Sequence, residues 1–247
     1  MTDTFIQYRD LYKSFGDKRV LRGINLAVRR GETVVILGGS GTGKSVLLKH
    51  TIGLMKPDGG RIAVDGEDIT DYDEEQLTGV RKKVGMLFQG GALFDSMSVF
   101  ENVAFALREH TQLSEGEIAR RVRQKLELVE MGSAEPLMPA DLSGGMKKRV
   151  ALARSIVMEP AGLLYDEPTT GLDPVMASTI NRMIRNLQQA LSVTSVVVTH
   201  DIQSAFTVGD RIAFLCDGVV CFVGTVEEAR HTSDQRLRNF LSGGGYS

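Results

Sequence analysis

The sequence predicts an α/β fold: a mainly parallel sheet alternating with helices, and a helical lobe inserted within it. Three observations carry that expectation. The apolar run TVVIL, residues 33–37, leads straight into a glycine loop and then a helix-period segment. Residues 73–135 turn mostly to helical spacing, and beyond residue 160 buried strands return with an amphipathic helix between them.

In chain order, FIQYRDL and VLRGINLAV alternate apolar with polar residues and read as half-buried strands, while TVVIL reads as a central buried one. After Lys44, SVLLKHTIGLM is apolar at helical spacing and is ended by Pro57 and Asp58-Gly59-Gly60. GRIAVDGEDIT is a hairpin candidate. FENVAFALREH and EIARRVRQKLELVEM are the clearest amphipathic helices of the lobe, and GLLYDE and SVVVTHD flank the amphipathic MASTINRMIRNLQQAL. RIAFLCDGVVCFVG reads as two short strands around an Asp-Gly turn and holds both cysteines, Cys216 and Cys221. Reduced core thiols are expected there; a zinc site or a regulatory disulfide is the alternative, with no His or third Cys nearby. The chain reads as one domain over residues 1–247, with a core of about 1–72 and 158–232, a helical lobe of about 73–157 and a tail of 233–247. No internal repeat of solenoid period is present.

A 42% hydrophobic and 24% charged composition is that of a globular chain with a sizeable core. Lys plus Arg total 29 against 31 Asp plus Glu, a net charge of −2 that gives no nucleic-acid footprint and no general attraction to anionic membranes. No window approaches the ~20 apolar residues needed to span a bilayer, so any work at a membrane is expected to depend on another subunit. MTDTFIQYRDLYKSFG has acidic residues early and no apolar h-region, so a secretory signal is not expected and the mature chain is expected to start where translation does.

Three segments carry chemistry. GGSGTGKS, residues 38–45, fits G-x-x-x-x-G-K-[ST]. Glycines 39, 41 and 43 let backbone N–H groups converge on phosphates at a helix N-terminus, Lys44 adds charge at the β- and γ-phosphates, and Ser45 offers its hydroxyl to Mg²⁺. A merely flexible surface loop leaves unexplained the central strand that feeds it. GLLYDEP, residues 162–168, is an apolar strand ending in two carboxylates; Asp166 is suited to hold the Mg²⁺ hydration shell and Glu167 to orient and deprotonate an attacking water. Solvated acids at a strand exit are the plainer alternative. LSGGM, residues 142–146, precedes KKRVALARSIV, a helix whose basic first turn opposes the macrodipole. A phosphate belonging to another molecule would explain those charges.

Together these motifs resemble the ATP-binding cassette (ABC) family, in the family's order and over about residues 5–230. The resemblance implies a P-loop NTPase, an ABC-type nucleotide-binding domain with a RecA-like core, an antiparallel β subdomain and an inserted helical subdomain. It implies ATP and Mg²⁺ as cofactors and ATP hydrolysis as the activity. Phe15 stands where the family stacks an aromatic on adenine, with Val20 beneath the ring. Nucleotide contacts fall on Gly38, Gly39, Ser40, Gly41, Thr42, Gly43, Lys44, Ser45 and Val46. Gln89 in MLFQGG matches the Q-loop glutamine that reaches Mg²⁺ and water, making Ser45, Gln89 and Asp166 the metal set. Asp173 in GLDP matches the D-loop, His200 the switch histidine at the γ-phosphate, and Glu167, His200 and Gln89 the catalytic set. Ser143, Gly144 and Gly145 would complete the ATP site of a second copy in a head-to-tail homodimer. Met146 departs from the family's frequent Gln.

Residues 86–111, and LMPADLSGGMKKRVALARSI, are further similar to cassettes of Mla-type phospholipid transport. That resemblance implies an inner-membrane permease, a periplasmic MCE-domain lipid-binding subunit and a cytoplasmic STAS-domain protein as partners, at the cytoplasmic face of the inner membrane and without nucleic acid. A small-solute transporter, a soluble non-transport ABC ATPase, or a scaffold that binds ATP without turnover are the alternatives. Phe94, Val99, Phe100, Val103 and Leu107 give the lobe more large apolar groups than a surface needs, as core or as a groove for a permease helix. The C-terminal QRLRNFLSGGGYS carries Leu237, Phe240 and Leu241 before three glycines and Tyr246; a frayed end is expected, with contact to a partner cassette or the STAS subunit as the alternative.

Overall fold

Ten strands and nine α-helices are laid out along the described residues, 3–243, of a computed structural model. The alternating N-terminal segments form β1 (Thr4–Phe15) and β2 (Lys18–Arg29), paired antiparallel with several register shifts. With β4 (Gly59–Val64) and β5 (Glu67–Asp68) they make a four-stranded sheet in the order β2-β1-β4-β5. TVVIL becomes β3 (Thr33–Leu37), every residue buried, and it runs through the P-loop into α1 (Lys44–Thr51).

β3 lies inside a second, six-stranded sheet of order β10-β9-β3-β8-β7-β6. Its other members are β6 (Val84–Leu87), β7 (Gly162–Asp166), β8 (Thr194–Thr199), β9 (Arg211–Cys216) and β10 (Val219–Thr225). All pairings are parallel except β9 with the edge strand β10. β3, β7 and β8 are buried on both faces, and the period-2 alternation of strands divides the core. Val34 and Ile36 of β3 face a cluster shared with the four-stranded sheet and α1, while Val35 and Leu37 face the cluster shared with the helical lobe.

The lobe is built from α3 (Val99–His110), α4 (Glu115–Leu128) and α5 (Gly144–Ile156), packed on one another. Ser98 and Ser114 close α3 and α4 with capping boxes, each cap worth roughly 1 kcal/mol. α2 (Glu74–Lys83) also opens on a capping box, at Asp73. The remaining helices are α6 (Pro174–Leu191), α7 (Ile202–Val208), α8 (Val226–Arg230) and α9 (Gln235–Leu241).

Three expectations change. β6 lies inside the 73–157 stretch assigned to the lobe, yet it pairs with β7 in the main sheet; four residues give too short a period-2 signal to stand out between helices. Cys216 and Cys221 are joined by a disulfide rather than being free thiols. Asp217 and Gly218 both take positive φ, a tight turn, and the register shift between Val220 and Phe222 leaves Cys221 as the extra residue of a bulge beside Cys216. The C-terminal stripe is not frayed over residues 235–241: Leu237 of α9 is fully buried and the Phe240 ring centroid stands 5.3 Å from that of Phe214. Residues 244–247, with Tyr246, lie outside the described residues. No helix among the described residues is long and apolar enough to cross a membrane.

Candidate active site

The loop between β3 and α1 is shaped by glycines whose roles differ. Gly41 and Gly43 take φ of +76° and +102°, conformations that cost an L-side chain strain. A Cβ on Gly43 would also strike Val20 Cγ1 at 2.9 Å, and one on Gly38 would strike the Leu215 carbonyl of β9 at 2.5 Å. The loop is therefore clamped between β2 and β9 while Ser40 and Gly41 face solvent. Thr42 Oγ1 donates to Gly39 O at 2.9 Å and tightens the turn. α1 begins with no side-chain cap, leaving its first N–H groups for an anion.

Lys44, 5% exposed, donates through Nζ to Gly38 O (3.0 Å) and Gly39 O (2.9 Å) and lies 3.5 Å from Glu167 Oε1. Burial pulls its pKa below the ordinary lysine value, with Glu167 and Asp166 opposing the shift. Ser45 Oγ donates to Asp166 Oδ1 at 2.6 Å, so the two predicted metal ligands from α1 and β7 meet. This pair of hard oxygen donors fits Mg²⁺, which takes few protein ligands and shares phosphate oxygens. Among the described residues no three His, Cys, Asp or Glu side chains are grouped as an all-protein metal cage.

Glu167, 8% exposed, has φ of +47°, a strained main chain for a side chain of its size. Its N–H donates to Val198 O at 2.9 Å, Thr170 Oγ1 donates to its Oε2 at 3.1 Å, and His200 Nδ1 lies 2.9 Å from the same oxygen. Lys44, Ser45, Asp166, Glu167 and His200, spread over 157 positions of sequence, are thus brought together at the carboxyl ends of β3, β7 and β8.

Other predicted residues sit apart. Phe15 is 47% exposed at the end of β1, with Lys13 Nζ 5.8 Å from its ring centroid. The Gln89 side chain is exposed, and it is its carbonyl that is held, by Lys148 Nζ. Ser143 caps α5 by accepting from Met146 N at 3.3 Å, with Gly144 exposed and Gly145 buried against Met176. Asp173 caps α6, accepting from Val175 N and Met176 N at 3.0 Å. Val46 is half-buried beside the core of the four-stranded sheet.

The basic run Lys147–Arg149, near the start of α5, is not all turned outward. Lys148 is 6% exposed and faces the Gln89 and Glu167 carbonyls, and Arg149 pairs with Glu130 at 2.8 Å. The sequence signalled unusual charge at this helix start but not its direction. Lys148, Thr170 and the Leu215 carbonyl are the site groups that sequence reasoning missed.

A glycine loop between a central parallel strand and a helix, with a strand-end carboxylate pair facing its lysine and serine, defines a P-loop nucleoside triphosphatase. Residues 21–170 match the family model described as ABC transporter. The phospholipid transport ATP-binding protein MlaF of Haemophilus influenzae is 42% identical over 243 residues, 98% of this chain and 92% of that one. The probable ribonucleotide transport ATP-binding protein mkl of Mycobacterium leprae is also 42% identical, over 96% of this chain and 69% of its own. Among solved structures, cbiO1 from Clostridium perfringens, part of the ABC transporter complex cbiONQ, superposes with a TM-score of 0.85 at 34% identity, covering 97% of this chain and 95% of that one. The cassette MJ0796, in a dimeric post-hydrolysis state with ADP and Pi, gives 0.83 at 33% identity, covering 90% and 98%. The chain belongs to the ABC transporter family of ATP-binding proteins, and it is an ATPase.

Proposed function

We propose that this chain is the ATP-hydrolysing subunit of an inner-membrane transporter that moves phospholipid between membranes, working as a head-to-tail homodimer. The observation that carries the motor part is the convergence of Lys44, Ser45, Asp166, Glu167 and His200 on one helix N-terminus. Lys44 binds the β- and γ-phosphates, exchanging the Gly38 and Gly39 carbonyls for phosphate oxygens. Glu167 accepts a proton from the attacking water, and His200, hydrogen-bonded to it, contacts the γ-phosphate. Ser45, Asp166 and Gln89 hold Mg²⁺, which when bound offsets phosphate charge. Phe15 stacks on adenine above Val20, and Ser143, Gly144, Gly145 and Asp173 face the nucleotide of the second copy. The dimeric solved relative supports that arrangement. ATP touching both halves only in the closed dimer makes closure a ligand-driven population shift.

The lipid part rests on 42% identity to two proteins named for intermembrane phospholipid transport, from Haemophilus influenzae and Escherichia coli, over nearly the whole chain. Its partners would be a permease, an MCE-domain subunit and a STAS-domain protein, with the chain at the cytoplasmic face of the inner membrane. A groove of about 400 Å³ lined by Leu54, Met86, Phe88, Phe94, Phe105 and Met158 suits a permease helix. The equal identity of the mycobacterial relative named for ribonucleotide transport favours a small-solute transporter as the second reading.

Glu167→Gln tests the motor: turnover should fall by about two to four orders of magnitude, while ATP with Mg²⁺ shifts the chain to a dimer by size exclusion. Persistent turnover, or monomer only, contradicts the assignment. Purification of the chain with its membrane partners separates the two cargo readings, since an MCE-domain subunit belongs to the lipid one.

A further inference from the structure

Lys148 is a buried cation outside the set of groups proposed to touch nucleotide. It stands in the first turns of α5, five residues after the Ser143 cap, and its Nζ donates to the Gln89 carbonyl and reaches the Glu167 carbonyl at 3.5 Å. Gln89 follows β6 and Glu167 follows β7, so one ammonium joins two strand ends of the core to a helix of the lobe. Further along the same helix, Arg154 donates at 2.8 Å to the Gly91 and Ala92 carbonyls. α5 thereby grips the loop after β6 at both ends.

Glu167 needs such support on its main chain. A non-glycine residue at φ +47° costs about 1–3 kcal/mol, and it persists only where its surroundings hold it. Its N–H is held by Val198 and its carboxylate by Thr170 and His200; its carbonyl accepts from the Thr170 N–H at 3.3 Å, and Lys148 Nζ is the side-chain donor beside it at 3.5 Å. Pro168 fixes φ after that carbonyl, so a shift of the peptide is not absorbed by counter-rotation there and displaces the Glu167 Cα that bears the carboxylate.

We propose that Lys148 is a positioning residue that fixes the Glu167 main chain, and with it the carboxylate, from the helix that begins with Ser143-Gly144-Gly145. The start of α5 then reports the placement of the helical lobe to the base of the same subunit. This rests on Glu167 being the base, as proposed above. Neutral replacement takes the ammonium from the Gln89 carbonyl, leaves the Glu167 carbonyl with the Thr170 N–H alone, and loosens the carboxylate by a distance small in ångströms but large in rate.

The test uses the full chain with ATP and Mg²⁺. Lys148→Met, which keeps the apolar stem, should lower kcat by about 100-fold with little change in ATP affinity, and Lys148→Arg should regain most of the loss. Added to Glu167→Gln, Lys148→Met should cause no further fall, because both remove the same function. If the Met variant folds poorly, Lys148→Gln, neutral and shorter, takes its place. A wild-type kcat in a folded neutral variant overturns the proposal. So does an ATP affinity that falls in step with kcat, or a loss additive with Glu167→Gln. Wild-type turnover in Glu167→Gln alone strikes the choice of base instead, and an inactive Glu167→Gln beside a fully active Lys148→Met strikes only Lys148.

Discussion

At Gly38, the space for a single methyl group decides whether the phosphate loop keeps its shape. The Leu215 carbonyl occupies that space, so Gly38→Ala must push loop and strand apart. A loss of about 1–3 kcal/mol in thermal unfolding is expected, with weaker ATP binding alongside it. Lys44 offers a second test through its proton. Burial lowers its pKa in the free protein, and a bound polyphosphate favours the charged form. Binding must then take up protons above the lowered pKa, and ATP affinity must fall as pH rises through it. Calorimetry in buffers of different ionisation heat should detect that uptake in the pH range between the lowered pKa and that of the phosphate-bound lysine, and none well below it. The residue types at positions 38–45, 166, 167 and 200 were legible because motif spacing fixes what each must do. Lys148 was not: its type was visible, but a helix start does not disclose whether a long cation turns toward solvent or into the core.

At the scale of elements, α3 separates two roles that one apolar stretch had left together. Val99, Val103 and Leu107 are fully buried against α4 and α5, whereas Phe94 and Phe105, 42% and 38% exposed, stack at 5.1 Å beside the groove. Leu107 therefore cannot report on docking. Leu107→Ala should cost about 2–5 kcal/mol by denaturant unfolding. Phe105→Glu should leave stability and the ATPase of the isolated chain nearly unchanged while weakening recovery of the permease; unimpaired recovery would remove the groove from the interface. Phe100, expected to share this role, is half-buried under Arg108, whose guanidinium lies 5.8 Å from its ring centroid. The helical period predicted α3, but the choice of buried face required α4 and α5 to be in place. Likewise β6 became a strand only because β7 offers it an edge.

Across the whole molecule, the C-terminal helix α9 belongs to the core rather than trailing from it. α9 places Leu237, fully buried, against the cluster that includes Phe214 of β9, the strand whose Leu215 carbonyl packs on the phosphate loop. Leu237→Ala should lower the melting temperature through a loss of about 2–5 kcal/mol. Removal of residues 242–247 should leave melting unchanged; impaired recovery of the complex in that truncation would show a partner contact there. The hairpin of β9 and β10 adds the Cys216–Cys221 link near the same strand, where the bulge at Cys221 brings together sulfurs that the pattern of alternation leaves unpaired.

The order of strands and helices apart from β6, the phosphate loop and the two carboxylates at the end of β7 were determined by the sequence alone, since local periodicity and motif spacing act over a few residues. Tertiary structure alone decided which groups meet. Ser45 reaches Asp166 across 121 positions, Lys148 reaches Gln89 across 59, and Cys216 meets Cys221 through a bulge. The physical reason is that burial and hydrogen bonding are properties of surroundings. A lysine is a phosphate ligand, a solvated charge or an internal clamp according to the carbonyls and carboxylates that the fold brings within about 3 Å of it.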